Sequence, residues 1–143
     1  GGASRAILYF LNNKYIENID IFAKSFRRRE GLSKNFKFKN FTYKPTLLKK
    51  KYDLIINASN AGMSHGNKIN RNILRLVKKT KVVIDIVYNP LETDLLKEAK
   101  KHNIKSIGGL IMLVEQAKPS FEIWSKKDIE IDDKIYRSLI SKI

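Results

Sequence analysis

The chain has 143 residues, 43% of them hydrophobic, enough for one domain with a core of its own. It has no cysteine, which excludes disulfide frameworks, thiolate nucleophiles and cysteine-ligated zinc or iron–sulfur sites; its two histidines, His65 and His102, are too few and too far apart for a histidine cage, so no bound metal is expected. The net charge of +15 favours anionic ligands in general, but basic residues are spread through almost every stretch and Lys outnumbers Arg, which reads as a solvated surface and not as a nucleic-acid footprint.

No apolar run approaches the roughly 20 residues of a membrane helix, and the start lacks the regions of a secretory signal, so the expectation is a cytoplasmic protein with no membrane partner. Both methionines, Met63 and Met112, are internal. Sequence upstream of Gly1 is therefore expected.

Two glycines open the chain, and Ala6, Ile7, Phe10 and Leu11 then recur at helical spacing, which predicts a short helix over Ser4–Asn13 with that face inward. Asn18–Ala23 alternates Ile19 and Ile21 with polar neighbours and suits a strand. A basic run, Lys24–Arg29, leads into a predicted helix ending near Phe36, followed by a polar connection through Pro45. Asp53–Asn57 is a short apolar strand that runs into a polar loop kept open by Gly62, Ser64 and Gly66.

Asn72–Lys79 is predicted helical. Lys81–Val87 is a nearly continuous β-branched run of the kind buried on both faces of a parallel sheet, and Pro90 ends it. Glu92–His102 is an amphipathic helix through Leu95, Leu96 and Ala99, and Ile104–Ile107 another short strand. Gly108-Gly109 then breaks the chain ahead of an apolar helix, Leu110–Trp124, which Pro119 is expected to kink or divide. A last amphipathic helix, Asp132–Ile143, carries Ile135, Leu139 and Ile140 on one stripe. Strands alternating with helices predict an α/β fold, a Rossmann-like parallel sheet flanked by helices. Residues 1–143 read as one nucleotide-binding domain in which 125–143 is a C-terminal helical extension. A helix that follows two glycines normally follows a strand, so the sheet is expected to lack its first strand. The loss of a central strand exposes apolar edges, and poor stability is expected of the chain alone.

Glycines ahead of a helix let backbone approach a pyrophosphate. Taken alone, Gly1-Gly2 is accounted for equally well by a simple turn or a cloning scar. The context adds weight, because a helix, a strand and a basic cluster follow at about the distance where a Rossmann domain selects its cofactor at the ribose. There the chain has Ala23-Lys24-Ser25-Phe26-Arg27-Arg28, cations and a hydroxyl where an NAD site places a carboxylate, and this favours NADP. A solvated basic helix start is the alternative reading of that cluster.

Several motifs in order carry a more specific signal: Asp53-Leu54-Ile55-Ile56-Asn57-Ala58-Ser59-Asn60-Ala61-Gly62-Met63, Asp85-Ile86-Val87-Tyr88-Asn89-Pro90-Leu91-Glu92-Thr93, and Gly109-Leu110-Ile111-Met112-Leu113-Val114-Glu115-Gln116-Ala117 with Phe121-Glu122-Ile123-Trp124. These strongly resemble the C-terminal domain of the shikimate dehydrogenase family, and Gly1-Gly2-Ala3-Ser4-Arg5-Ala6 looks like the rear of that family's glycine-rich loop. The resemblance runs from the first residue to about Trp124. It implies NADP-linked, reversible reduction of 3-dehydroshikimate to shikimate on the route to chorismate and aromatic amino acids.

By the same resemblance Gly1, Gly2 and Ala3 face the pyrophosphate, Lys24, Ser25 and Arg28 hold the adenosine 2'-phosphate, and Ile86 and Gly109 border the nicotinamide. Tyr88 and Gln116 contact the substrate. The family's catalytic lysine and aspartate come from an N-terminal substrate domain, so no catalytic residue is expected in this chain, and its missing N-terminal domain is an expected partner. Ala23, Lys24 and Ser25 depart from the family's Asn-Arg-Thr, and Ile111 stands where a glycine is usual, a change expected to crowd the nicotinamide pocket. An NAD-preferring quinate/shikimate dehydrogenase, or a non-catalytic basic nucleotide- or nucleic-acid-binding relic, remain alternatives. Monomer and homodimer are both open.

Overall fold

The structure, a computed structural model, describes residues 1–23, 28–42 and 50–142, with the backbone alone at 28 and 29. The chain divides into two compact units, Gly1–Lys50 and Lys51–Ile143. Each unit carries its own parallel sheet, with helices connecting the strands.

The first unit runs α1 (Gly2–Asn13), β1 (Asp20–Phe22), α2 (Arg28–Ser33) and β2 (Asn40–Thr42). The two strands pair in parallel, with Ile21 opposite Phe41, where the sequence reading had only a polar connection. Helix α1 forms as expected, but with a different face inward. Leu8 is its buried residue, while Ala6 is exposed and Phe10 is 60% exposed. A continuous apolar run from Ala6 to Leu11 supplies no polar stripe to fix the azimuth, so tertiary packing chooses it.

Asn12, one turn from Leu8 on that inner side, exchanges two bonds with the backbone of Lys37. Its Nδ2 donates to Lys37 O at 3.0 Å and its Oδ1 accepts from Lys37 N at 2.7 Å. At the start of β1, Asp20 accepts from Asn40 Nδ2 at 2.6 Å and pairs with Lys50 Nζ at 2.8 Å, with only 7% of its own side chain exposed.

The second unit runs β3 (Tyr52–Asn57), α3 (Arg71–Val77), β4 (Thr80–Asp85), α4 (Asp94–Lys101), β5 (Lys105–Ile107), α5 (Gly109–Ser125) and α6 (Asp133–Ile140). Its strands pair in parallel in the order β3-β4-β5, with Ile55 opposite Val83 and Ile84 opposite Ile107. As the middle strand β4 is the most enclosed, and Val83 has no exposed surface. Val83 joins Ile69, Val77, Leu95 and Ala99 in the core, against which Ile55, Ile73, Leu74 and Ile104 pack. Leu95, Leu96 and Ala99 are the buried residues of α4, as their spacing predicts.

Side-chain caps start three of these helices: Asn70 on α3, Thr93 on α4 and Asp132 on α6 each accept from backbone N–H groups of the first turn. Helix α5 continues through Pro119, without the boundary anticipated there. Pro119 and Glu115, whose carbonyl loses its donor, both lie on the exposed side, where solvent can replace the missing bond. The stripe on α6 is half-covered, with Ile135 and Ile140 38% and 48% exposed. Among the described residues no helix is long and apolar enough to cross a membrane.

Candidate functional site

In a parallel sheet every strand delivers its carboxyl end to the same edge, and the loops leaving that edge form the ligand crevice. In the second unit that edge is organised by one buried carboxylate. Asp85 closes β4 with no exposed surface. Its Oδ1 accepts from Asn57 Nδ2 at 2.8 Å and from Val87 N at 3.0 Å, and its Oδ2 accepts from Thr93 Oγ1 at 2.6 Å.

Each donor belongs to a different segment: the end of β3, the continuation of β4, and the cap of α4. Asn57 also donates to Ala61 O at 2.8 Å and accepts from the Ser59 hydroxyl at 2.7 Å, which folds the loop after β3 back on itself. Thr93 Oγ1 accepts from Leu96 N at 3.3 Å. No buried side-chain nitrogen or oxygen among the described residues lacks a partner, so the network is saturated and stiff.

Beyond Asp85 the chain passes Ile86 and Val87 and meets the start of α5. Gly109 N donates to Val87 O at 3.2 Å. A Cβ on Gly109 would collide with the carbonyl of Ile86 and come within 2.7 Å of the Val87 carbonyl carbon, so only glycine lets the helix start so close to the strand. The structure thus brings together Ile86 and Gly109, two of the residues singled out in the sequence.

Tyr88 follows Val87, 37% exposed, and its hydroxyl has no hydrogen-bond partner among the described residues. Gln116 lies seven residues along α5 from Gly109, about two turns, and so returns to nearly the same face; it is exposed and its amide has no partner among the described residues. The tethered strand end positions Tyr88, and α5, which starts against that strand end at Gly109, carries Gln116. Ile111, two residues beyond Gly109 on α5, is 49% exposed.

In the first unit, Gly1 caps α1 with no side-chain bond, and there is no acidic residue in the first turn. A first turn without a carboxylate is compatible with an anion held by backbone N–H groups. Lys24 and Ser25 lie outside the described residues, and of Arg28 only the backbone is described, opening α2.

The pairs that shift ionisation lie elsewhere. Lys81, 2.7 Å from Asp53 on the neighbouring strand, lowers the Asp53 pKa by hydrogen bond and then by charge, and Asp53 raises Lys81 in return. Glu17 raises Lys37 in the same way. No group of three or more metal-ligating side chains occurs among the described residues.

Parallel strands, helical crossovers and a loop-built carboxyl edge place the chain among the Rossmann-like α/β proteins. No protein-family model matches it, but individual proteins do. It is 40% identical, over its whole length, to the shikimate dehydrogenase (NADP(+)) of Methanococcus maripaludis, of which it covers 53%. It is 33% identical over 97% of its length to that of Clostridium perfringens, of which it covers 52%.

Among solved structures it resembles the chorismate mutase/shikimate 5-dehydrogenase fusion protein of Clostridium acetobutylicum, at 34% identity and a TM-score of 0.79, covering all of this chain and 51% of that one. It also resembles the shikimate 5-dehydrogenase of Listeria monocytogenes in complex with shikimate and NAD, at 25% identity and a TM-score of 0.75, covering 97% of this chain and 53% of that one. The chain is thus similar to shikimate dehydrogenases along its whole length, and it spans about half the length of the curated relatives it matches.

Asn57, Asp85 and Thr93 stand in the motifs that carried the resemblance, yet nothing in those motifs marks them for this role. The available signal was a polar residue closing each of two apolar strands, and a threonine three residues ahead of the buried Leu96.

Proposed function

We propose that this chain is the cofactor-binding half of an NADP-dependent shikimate dehydrogenase, which reduces 3-dehydroshikimate to shikimate and is cytoplasmic. The observation that carries the reading is the β4 terminus, where Ile86 packs on Gly109, with Tyr88 two residues beyond Ile86 and Gln116 two turns along α5 from Gly109. The reduced cofactor, NADPH, would supply the hydride when bound. The chain's own residues hold and orient: Gly1, Gly2 and Ala3 offer backbone N–H groups to the pyrophosphate, and Lys24, Ser25 and Arg28 offer charge and a hydroxyl to the 2'-phosphate. Ile86 and Gly109 form an apolar wall against the nicotinamide, and Tyr88 and Gln116 bond the hydroxyls of the substrate ring.

Hydride transfer needs cofactor and substrate held at near-attack distance. The family's proton-transferring lysine and aspartate are not among the motifs of this chain, so its role is binding, and the residues that complete the reaction belong to a separate substrate domain. The test is NADPH oxidation with 3-dehydroshikimate by the complete gene product, alongside NADPH binding by the 143-residue chain. Binding without turnover by the chain supports the assignment; absence of NADPH binding refutes it.

NAD as the preferred cofactor is the second reading. It draws support from Ala23-Lys24-Ser25 and from the Listeria relative, whose structure holds NAD. The ratio of kcat/KM for the two cofactors decides between them.

A further inference from the structure

The loop that follows β3 is tied to itself and then reaches across to the strand end that carries Tyr88. Met63 N donates to Asn60 O at 3.3 Å, Gly66 N to Met63 O at 2.9 Å and Gly62 N to Asn67 O at 2.8 Å. Gly62 adopts φ +95°, a left-handed conformation that glycine takes without strain. A Cβ at Gly66 would strike the Asn60 carbonyl, so the loop is closed as tightly as backbone allows. From this closed loop Ser64 makes two bonds to one residue: its Oγ donates to Asn89 Oδ1 at 3.0 Å and its N–H to Asn89 O at 3.4 Å.

Asn89 is the residue after Tyr88. On the other side of Tyr88, Val87 is held at both ends of its peptide, its N–H by Asp85 Oδ1 and its carbonyl by Gly109 N. Tyr88 is thus a single residue between two anchored neighbours. Its backbone direction is set from both sides, and only the side-chain torsions remain to place the hydroxyl. The Asp85 anchor is buried, whereas the Ser64 anchor is exposed and makes no contribution to the core.

We infer that Ser64, through its paired hydrogen bonds to Asn89, is the positioning residue that aims the Tyr88 hydroxyl at the substrate. The inference rests on the reading of Tyr88 as a substrate contact. Ser64 touches neither substrate nor cofactor in this assignment, and acts by restricting the segment that carries Tyr88.

The experiment uses the complete gene product and measures shikimate Kd by calorimetry at saturating NADP, NADP Kd, and kcat and KM. Ser64→Ala is expected to raise shikimate Kd and KM about five- to ten-fold, the worth of roughly one hydrogen bond, with kcat and NADP Kd changed less than about two-fold. Ser64→Thr, which keeps the hydroxyl, restores most of the affinity. Tyr88→Phe raises shikimate Kd, and adding Ser64→Ala to it produces no further loss, because there is no longer a hydroxyl to aim. An unchanged Kd in Ser64→Ala, or fully additive losses in the double variant, overturns the positioning role while leaving Tyr88 as a contact. An unchanged Kd in Tyr88→Phe overturns the substrate contact itself, and the positioning role with it. NADP Kd also serves as the folding control, since Ser64→Ala removes only an exposed hydroxyl.

Discussion

Replacing Asp85 by asparagine keeps the shape of the side chain and exchanges one acceptor oxygen for a donor nitrogen. The new amide can keep its oxygen toward Asn57 Nδ2 and Val87 N, which leaves its NH2 facing Thr93 Oγ1 at what is now 2.6 Å. The Thr93 hydroxyl then loses the acceptor for its own hydrogen, and the second amide hydrogen has no acceptor either. Asp85 and Thr93 are 0% and 1% exposed, so water does not repair the loss. Two stranded donors at about 1–3 kcal/mol each predict a destabilisation of about 2–5 kcal/mol. Thr93→Val removes a helix cap and leaves one carboxylate oxygen bare, for about 2–4 kcal/mol.

Because the two variants break the same bond, the double variant should fall short of the sum by at least about 1 kcal/mol. Urea unfolding followed by far-ultraviolet circular dichroism gives the global values, and native-state amide exchange at Val87 and Leu96 gives the local ones. An Asp85→Asn change below about 0.5 kcal/mol, or strict additivity, would refute the claim that this carboxylate organises the edge.

Three further outcomes are expected. Gly109→Ala should destabilise the protein by more than about 3 kcal/mol and abolish NADP binding, because the methyl meets backbone, which cannot rotate away; a thermal-shift assay with and without NADP reads both. Ala3→Asp, a carboxylate in the first turn of α1, should weaken NADP at least about ten-fold by repulsion from the pyrophosphate while leaving stability nearly unchanged; calorimetry tests it. Asp53 has a lowered pKa in the fold, so what its pair contributes is present above the unfolded value and fades as pH falls through the folded one; Lys81, raised, contributes below its unfolded value and loses it as pH rises through the folded one. Both side chains are at least 80% exposed, so Lys81→Gln should move the NMR titration of Asp53 upward with little change in melting temperature, and 1 M salt should do the same.

The second unit was legible in the sequence because its signals agree with one another. The β-branched run of β4, the Leu95, Leu96 and Ala99 stripe and the glycines before α5 each point to the same element, and the structure has all three. The first unit was harder. Strand β2 is only three residues long and sits in a basic stretch, where Phe38 and Phe41 give too little alternation to mark a strand. The inner face of α1 is decided by partners distant in sequence, including the Lys37 backbone that Asn12 clamps, and no local pattern contains them. Of the site, Gly109 and Ile86 were legible as family positions, but their reason, backbone against backbone, is a distance. The Asp85 network joins residues 28 and 8 positions apart, and each member alone looks like an ordinary polar end to a strand or helix.

The bond between Asp85 and Thr93 also constrains the chain as a length. The residues between them leave the carboxylate and must return to it, with Val87 fastened on the way, so the segment has no slack. Adding one residue would carry Thr93 about 3 Å along the chain and out of reach of Asp85. The stretch between α5 and α6 returns to α5 through a single half-buried bond among the described residues, Ile129 N to Glu122 Oε1 at 3.2 Å, a looser closure than one onto a fully buried carboxylate. Insertions and deletions should accumulate there, while the eight-residue return from Asp85 to Thr93 stays fixed, so that this part of the protein varies by substitution and not by length.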